Sequence, residues 1–179
     1  TSGGTISSLP TTLFTPNGPE VTRVGLGGEG VLRTFGRETE ARAVIQEAIA
    51  QSITCFDTAP ACSGSQAYLG SVWHEQPEAR KQIFHTSKSA SRKASQAMQD
   101  LEDSLTTLHT DSLDLWQIHD LRTPDDLKRL EARDGALNAF IKAREQGLVK
   151  HIGVTGHHDP KILETCVRHW PLDSVLLPA

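Results

Sequence analysis

Apolar and polar positions follow two alternating periods along the chain. Short, nearly continuous apolar runs at Arg23 to Gly27, Ile53 to Asp57, Ile83 to Lys88, Leu113 to His119, His151 to Gly156 and Ser174 to Leu177 predict six strands. Runs of this kind suit strands covered on both faces, where no polar alternation is needed. Between them the period lengthens. Ala41, Val44, Ile45, Ala48 and Ile49 recur at helical spacing, as do Ala94, Ala97, Met98, Leu101, Leu105 and Leu108, so each set predicts a helix with one apolar stripe. Thr123 before Pro124 and Asp159 before Pro160 read as N-caps followed by a proline in the first turn. Asp134-Gly135 interrupts the fourth helix, which resumes at Ala136 and stops at Gly147, a residue that takes the left-handed C′ conformation without penalty. Ahead of the first strand, two β-prone runs between Thr12 and Val24 flank Asn17-Gly18 and predict a hairpin with a tight turn.

Strand alternating with helix implies right-handed crossovers and a parallel sheet, either doubly wound and open or closed as a barrel. The strands are read as each ending in a polar or catalytic-type group, whereas a doubly wound sheet concentrates its site at one switch point. A barrel is therefore expected. The organisation expected is an N-terminal segment and hairpin over residues 1–20, then one α/β domain over residues 21–179.

Composition narrows the function. A chain of 179 residues with 37% hydrophobic and 22% charged content supports one globular core. A net charge of -4 offers no basic stripe for nucleic acid, and no apolar stretch is long enough to cross a bilayer. Cys55, Cys62 and Cys166 fall into no disulfide or zinc spacing, and the Thr-Ser-Gly-Gly start has no signal-peptide pattern, so a reducing, cytoplasmic setting is expected.

Three consecutive strands end on ionisable residues, Asp57, Lys88 and His119, separated by 31 and again 31 positions. Barrel strands converge at one mouth, so these groups would share a substrate and polarise a carbonyl. Each residue alone also reads plainly, Asp57 and Lys88 as a structural ion pair and His119 as a satisfied core histidine. The trio at matched strand ends favours chemistry. A different grouping of Asp57, His119, His157 and His158 would suit a metal-dependent hydrolase, but the sequence has no HxH pair on an early strand and adjacent histidines diverge in an extended segment. Gly25, Gly27, Gly28 and Gly30 depart from the GxGxxG spacing and read as a loop that lets backbone approach cofactor or substrate.

The stretch Phe-Asp-Thr-Ala-Pro-Ala-Cys-Ser-Gly-Ser-Gln-Ala-Tyr-Leu-Gly at 56–70, with Thr-Ser-Lys at 86–88, Asp-Leu-Trp-Gln-Ile-His at 114–119 and Gly-Leu-Val-Lys-His-Ile-Gly-Val-Thr at 147–155, resembles the aldo-keto reductase family over residues 21–179. The resemblance implies a TIM (β/α)8 barrel, of which this chain holds about six strands. It also implies reduction of a small-molecule aldehyde or ketone with NADPH or NADH by an Asp, Tyr, Lys and His tetrad. Asp57, Lys88 and His119 match three of those positions, and Gly28, Asp57 and Thr155 fall where the cofactor would be approached. Thr155 matches a residue that holds the nicotinamide carboxamide, Gly156 departs from the Asn often found next, and the hairpin matches a plug under the barrel.

Cys62 stands where the family has its tyrosine proton donor. A thiol is a short, weak donor, so three outcomes are open: His119 takes over, Cys62 becomes a reactive or redox-sensing thiolate beside Lys88, or the site is inactive. An inactive scaffold would act as a nucleotide-sensing or interaction module. Tyr68 reads as a packing residue. A barrel of this type needs about 250 residues and eight strands, so unpaired sheet edges, with self-association or a complementing fragment, are expected.

Overall fold

The computed structural model describes residues 8–178; the polar start at residues 1–7 and Ala179 lie outside them. The chain opens with the antiparallel hairpin β1 (Thr11–Leu13) and β2 (Glu20–Thr22). Six strands follow: β3 (Gly25–Leu26), β4 (Cys55–Asp57), β5 (Phe84–Ser89), β6 (Leu113–Ile118), β7 (Val149–Thr155) and β8 (Ser174–Leu176). They form one parallel sheet in chain order, β3-β4-β5-β6-β7-β8. A doubly wound sheet must reverse its strand order at the switch point. This order never reverses, so every crossover turns the same way and the sheet curls as part of a (β/α)8 barrel.

The helices are α1 (Glu38–Ala50), α2 (Ser65–Glu75), α3 (Pro77–Lys81), α4 (Ala94–Thr107), α5 (Pro124–Glu131), α6 (Ala136–Glu145) and α7 (Pro160–His169). The predicted stripes face the sheet, with Ala41, Ile45 and Ala48 of α1 and Ala97, Leu101 and Leu108 in or just after α4 buried. Val44 lies at the stripe's edge and stays 38% exposed. Trp116 of β6 stacks on Phe140 of α6 with ring centroids 3.7 Å apart, a contact that adds about 1 kcal/mol beyond its buried area.

Thr123 caps α5 through a reciprocal pair with Asp126, and Asp159 accepts from the Lys161 amide at the start of α7. The break at Gly135 has a steric origin, since a Cβ there would lie 2.1 Å from the Leu130 carbonyl oxygen. Gly147 takes the left-handed conformation after α6 with φ +75°. The hairpin turn differs from expectation: neither Asn17 nor Gly18 has a positive φ. Gly18 is required for space instead, because a Cβ would lie 2.3 Å from Thr15 Oγ1.

The hairpin covers the N-terminal strand ends. Phe14 packs against Phe84 at 4.6 Å and His151 at 5.1 Å, while Val21 joins Phe84 and Leu115 in a small apolar cluster. The opposite end, where the strands deliver Asp57, Lys88 and His119, is left clear of it.

Candidate active site

Asp57 closes β4, Lys88 is next to last in β5, and His119 follows β6 directly. These strands are adjacent, with Asp57 opposite Thr86 and Lys88 opposite Gln117, so all three residues reach the same end of the sheet. Thr86 and Lys88 are two apart and share the inner face. The Lys88 ammonium is buried and donates to Asp57 Oδ1 at 2.7 Å, Asp57 Oδ2 at 2.6 Å and the Thr58 carbonyl at 2.9 Å. Thr86 Oγ1 donates to Asp57 Oδ1 as well. All three ammonium protons thus have acceptors, which offsets the cost of holding the charge away from water.

The half-buried His119 imidazole is pushed below its ordinary pKa by burial first and by the Lys88 charge second, against weaker pulls from Asp120 and Asp57. It is therefore neutral at neutral pH. Its ring nitrogens have no hydrogen-bond partner among the described residues, so its N–H is free to donate. Its backbone is held tightly. The His119 amide donates to the Ser89 carbonyl at 2.8 Å, and Asp120 follows in the left-handed region at φ +57°. Arg92 spans this turn, donating to the His119 carbonyl at 3.1 Å, the Asp120 carbonyl at 3.0 Å and Asp126 Oδ1 at 3.2 Å. Nothing in the sequence marks Arg92, which lies in the loop after β5 and whose guanidinium bonds to groups 27 to 34 positions away.

Cys62 sits in the turn between β4 and α2, with its amide donating to the Ala59 carbonyl and its carbonyl accepting from Ser65 N, each at 3.0 Å. Ser63 takes φ +48° immediately after it. Burial pushes the Cys62 thiol up; Lys88 pulls it down without overcoming that, and Glu29 and Asp57 add to the rise. Gly28, in the loop after β3, backs this turn. A Cβ on Gly28 would lie 2.7 Å from Ser65 Oγ and 3.3 Å from Cys62 Cβ, so glycine there lets the loop close onto the turn that carries Cys62. Tyr68 is buried, and its hydroxyl accepts from the Arg37 amide at 3.0 Å and lies 3.3 Å from Thr34 Oγ1. It anchors the 34–37 loop.

Thr155 closes β7, and its buried hydroxyl accepts from the Asp120 amide at 2.8 Å while its own proton has no acceptor among the described residues. The Asp120 carboxyl would be raised by burial, but the bond from Arg122 and the charges of Arg122, His158 and His157 hold it below the usual carboxylate range. His158 Nε2 lies 3.5 Å from Asp120 Oδ1. Among the described residues, Asp57, His119, His157 and His158 do not form a group that could hold a metal ion.

Residues 23–178 match the profile of the Aldo/keto reductase family. Aldo-keto reductase YhdN of Bacillus subtilis is 30% identical over an alignment of 159 residues that covers 80% of this chain and 46% of that protein. The chain thus spans about half the length of that curated relative. An aldo-keto reductase from Bacillus halodurans, in its holo form, superposes with a TM-score of 0.80 at 20% identity over 96% of this chain and 58% of its own. A Bombyx mori aldo-keto reductase in complex with NADP does so with a TM-score of 0.75 at 22% identity, over 96% of this chain and 59% of its own.

Proposed function

The chain belongs to the aldo/keto reductase family, and from that premise we propose that it directs hydride transfer from NADPH or NADH to a small aldehyde or ketone at the mouth formed by Asp57, Lys88 and His119, with delivery of the proton impaired by Cys62. One observation carries the reading: a fully hydrogen-bonded ammonium, a carboxylate and a neutral imidazole meet at adjacent strand ends.

The residues present suit the nicotinamide end of the cofactor, because the Thr155 hydroxyl keeps a proton for a carboxamide oxygen. A bound dihydronicotinamide supplies the hydride. His119 donates its N–H to the carbonyl oxygen and orients it. Lys88, held by Asp57, places a positive charge where the oxygen becomes negative. What is missing is a strong acid. The Cys62 thiol is a weak donor whose pKa burial has raised, and a neutral imidazole binds an oxyanion far better than it protonates one. The raised thiol also speaks against a standing thiolate, and with it against a redox-sensing role.

The same observation on Cys62 favours a second reading, a nucleotide-sensing module that binds the cofactor without turnover. Cys55, Cys62 and Cys166 are all free thiols, which supports a reducing, cytoplasmic setting. The outer edges of β3 and β8 are where another strand would pair.

Fluorescence titration with NADPH and with NADH tests the proposal. Saturable binding that Thr155→Val weakens by about three- to tenfold is expected, the effect of one lost hydrogen bond. Slow oxidation of the bound cofactor on adding an aldehyde supports the reductase, and none supports the sensing module. Failure of both nucleotides to bind contradicts both readings.

A further inference from the structure

We propose that Asp120 is a positioning residue of the barrel mouth and that His158 is the partner that holds it. The pair fastens the loop after β7 to the turn after β6, and so sets Thr155 and His119 relative to one another. The roles of Thr155 and His119 rest on the function proposed above; the pair itself does not.

The signal is an acceptor without a donor. Asp120 Oδ2 is paired with Arg122, whose Nε donates at 2.7 Å. Oδ1 is buried and accepts no hydrogen bond, a costly state for a carboxylate oxygen. The carboxyl is ionised all the same, because Arg122, His158 and His157 outweigh the burial that would raise it. His158 Nε2 lies 3.5 Å from Oδ1, inside the range of an ion pair and just outside that of a hydrogen bond. That nitrogen carries a proton in the imidazolium and in one neutral tautomer, and either form offers Oδ1 the donor it lacks.

The same loop grips Asp120 at its backbone. Thr155 Oγ1 accepts from the Asp120 amide at 2.8 Å, and the Thr155 carbonyl accepts from the Leu121 amide at 2.9 Å. Gly156 stands between Thr155 and His158, and a Cβ there would lie 3.2 Å from the Leu121 carbonyl oxygen, so glycine lets the loop lie against the turn. Gly156 and His158, which the hydride-transfer reading leaves unused, thus belong to one device. Asp120 has φ +57°, a conformation that a residue with a Cβ keeps only where its neighbours hold it. Arg92 holds its carbonyl at 3.0 Å, Thr155 its amide and His158 its carboxylate. His119 is the preceding residue, so a change in this turn re-aims the imidazole. Thr155 is bonded to the same turn through its hydroxyl, so the direction of its free proton follows.

Amide exchange and NADPH titration on the whole chain test this together. His158→Leu alters a half-exposed side chain and should fold; it should quicken exchange at the Asp120 and Leu121 amides about two- to fivefold, the effect of one partly exposed ion pair. His158→Gln, which puts an amide donor near the place of Nε2, should restore the parent rate. In an Asp120→Asn background, where asparagine also accepts the left-handed backbone, His158→Leu should add nothing further. NADPH affinity should follow the same order, weakened about two- to fivefold by His158→Leu and recovered in His158→Gln. Quickened exchange with rescue, in a chain that binds no nucleotide, upholds the pair and fails the function proposed above. Unchanged exchange in His158→Leu, no rescue by glutamine, or an undiminished effect in the Asp120→Asn background would each overturn the inference. So would NADPH binding that is indifferent to His158→Leu.

Discussion

Removing the Lys88 ammonium should destabilise the chain through the charge it leaves behind. At 2.6 Å and an effective dielectric near 20, Coulomb's law gives about 6 kcal/mol of gross attraction between Lys88 and Asp57. Desolvation removes much of this, and the Asp57 side chain keeps 33% exposure, so water still reaches the orphaned carboxylate. A lone, fully buried charge costs about 3–5 kcal/mol; at this exposure Lys88→Met should lose about 2–3 kcal/mol. Asp57→Asn should lose a similar amount, since it strands a more deeply buried ammonium. The double variant strands neither, so its loss should fall short of the sum of the singles by about 2 kcal/mol. Urea unfolding at neutral pH, fitted with a common slope, measures all four chains. If Lys88→Met does not fold, recovery of a cooperative transition in the double variant gives the same sign. A coupling below about 0.5 kcal/mol would refute the reasoning, because the two charges would then be acting independently.

Other regions of the fold respond differently. His85 is fully buried against Trp73, and burial with the nearby Arg80 charge depresses its pKa from 6.5 to about 3. The unfolded chain therefore binds a proton that the folded chain refuses, and stability should fall as pH drops from about 6.5 toward 3, by about 1.4 kcal/mol per pH unit from this group. His85→Phe should flatten that part of the urea midpoint profile, and an unchanged slope would contradict the assignment. Arg92→Lys cannot reproduce the fork across the His119 and Asp120 carbonyls and Asp126, so it should cost about 2 kcal/mol. Amide exchange at Asp120 and Leu121 should quicken before the rest of the sheet does, whereas a uniform change would mean that Arg92 does not act on this turn in particular.

The strands and the acid–ammonium–imidazole trio were legible because they rest on local signals. Buried parallel strands write themselves as apolar runs, and an ionisable residue at the end of such a run is conspicuous. The helix breaks at Gly135 and Gly147 were equally local. Periodicity alone left a doubly wound sheet open; the polar strand ends and the family resemblance favoured a barrel, and a strand order that never reverses agrees with them. Arg92, the left-handed Asp120 and the Thr86 bond to Asp57 were invisible, since arginine in a loop, aspartate after a strand and threonine within one are ordinary there. Gly18 was read for its backbone freedom and is needed for its missing side chain. The thiolate reading of Cys62 rested on Lys88 nearby, and sequence gives no measure of the burial that outweighs it.

Supplying the missing acid tests the central claim most directly. Cys62→Tyr should raise kcat/KM for an aldehyde with NADPH by about 10²- to 10⁴-fold, the range a well-placed proton donor contributes, while Cys62→Ser should give no such gain. A tyrosine variant that folds, binds NADPH as the parent chain does and still shows no gain would contradict the account of a carbonyl-reducing site held back at that one position.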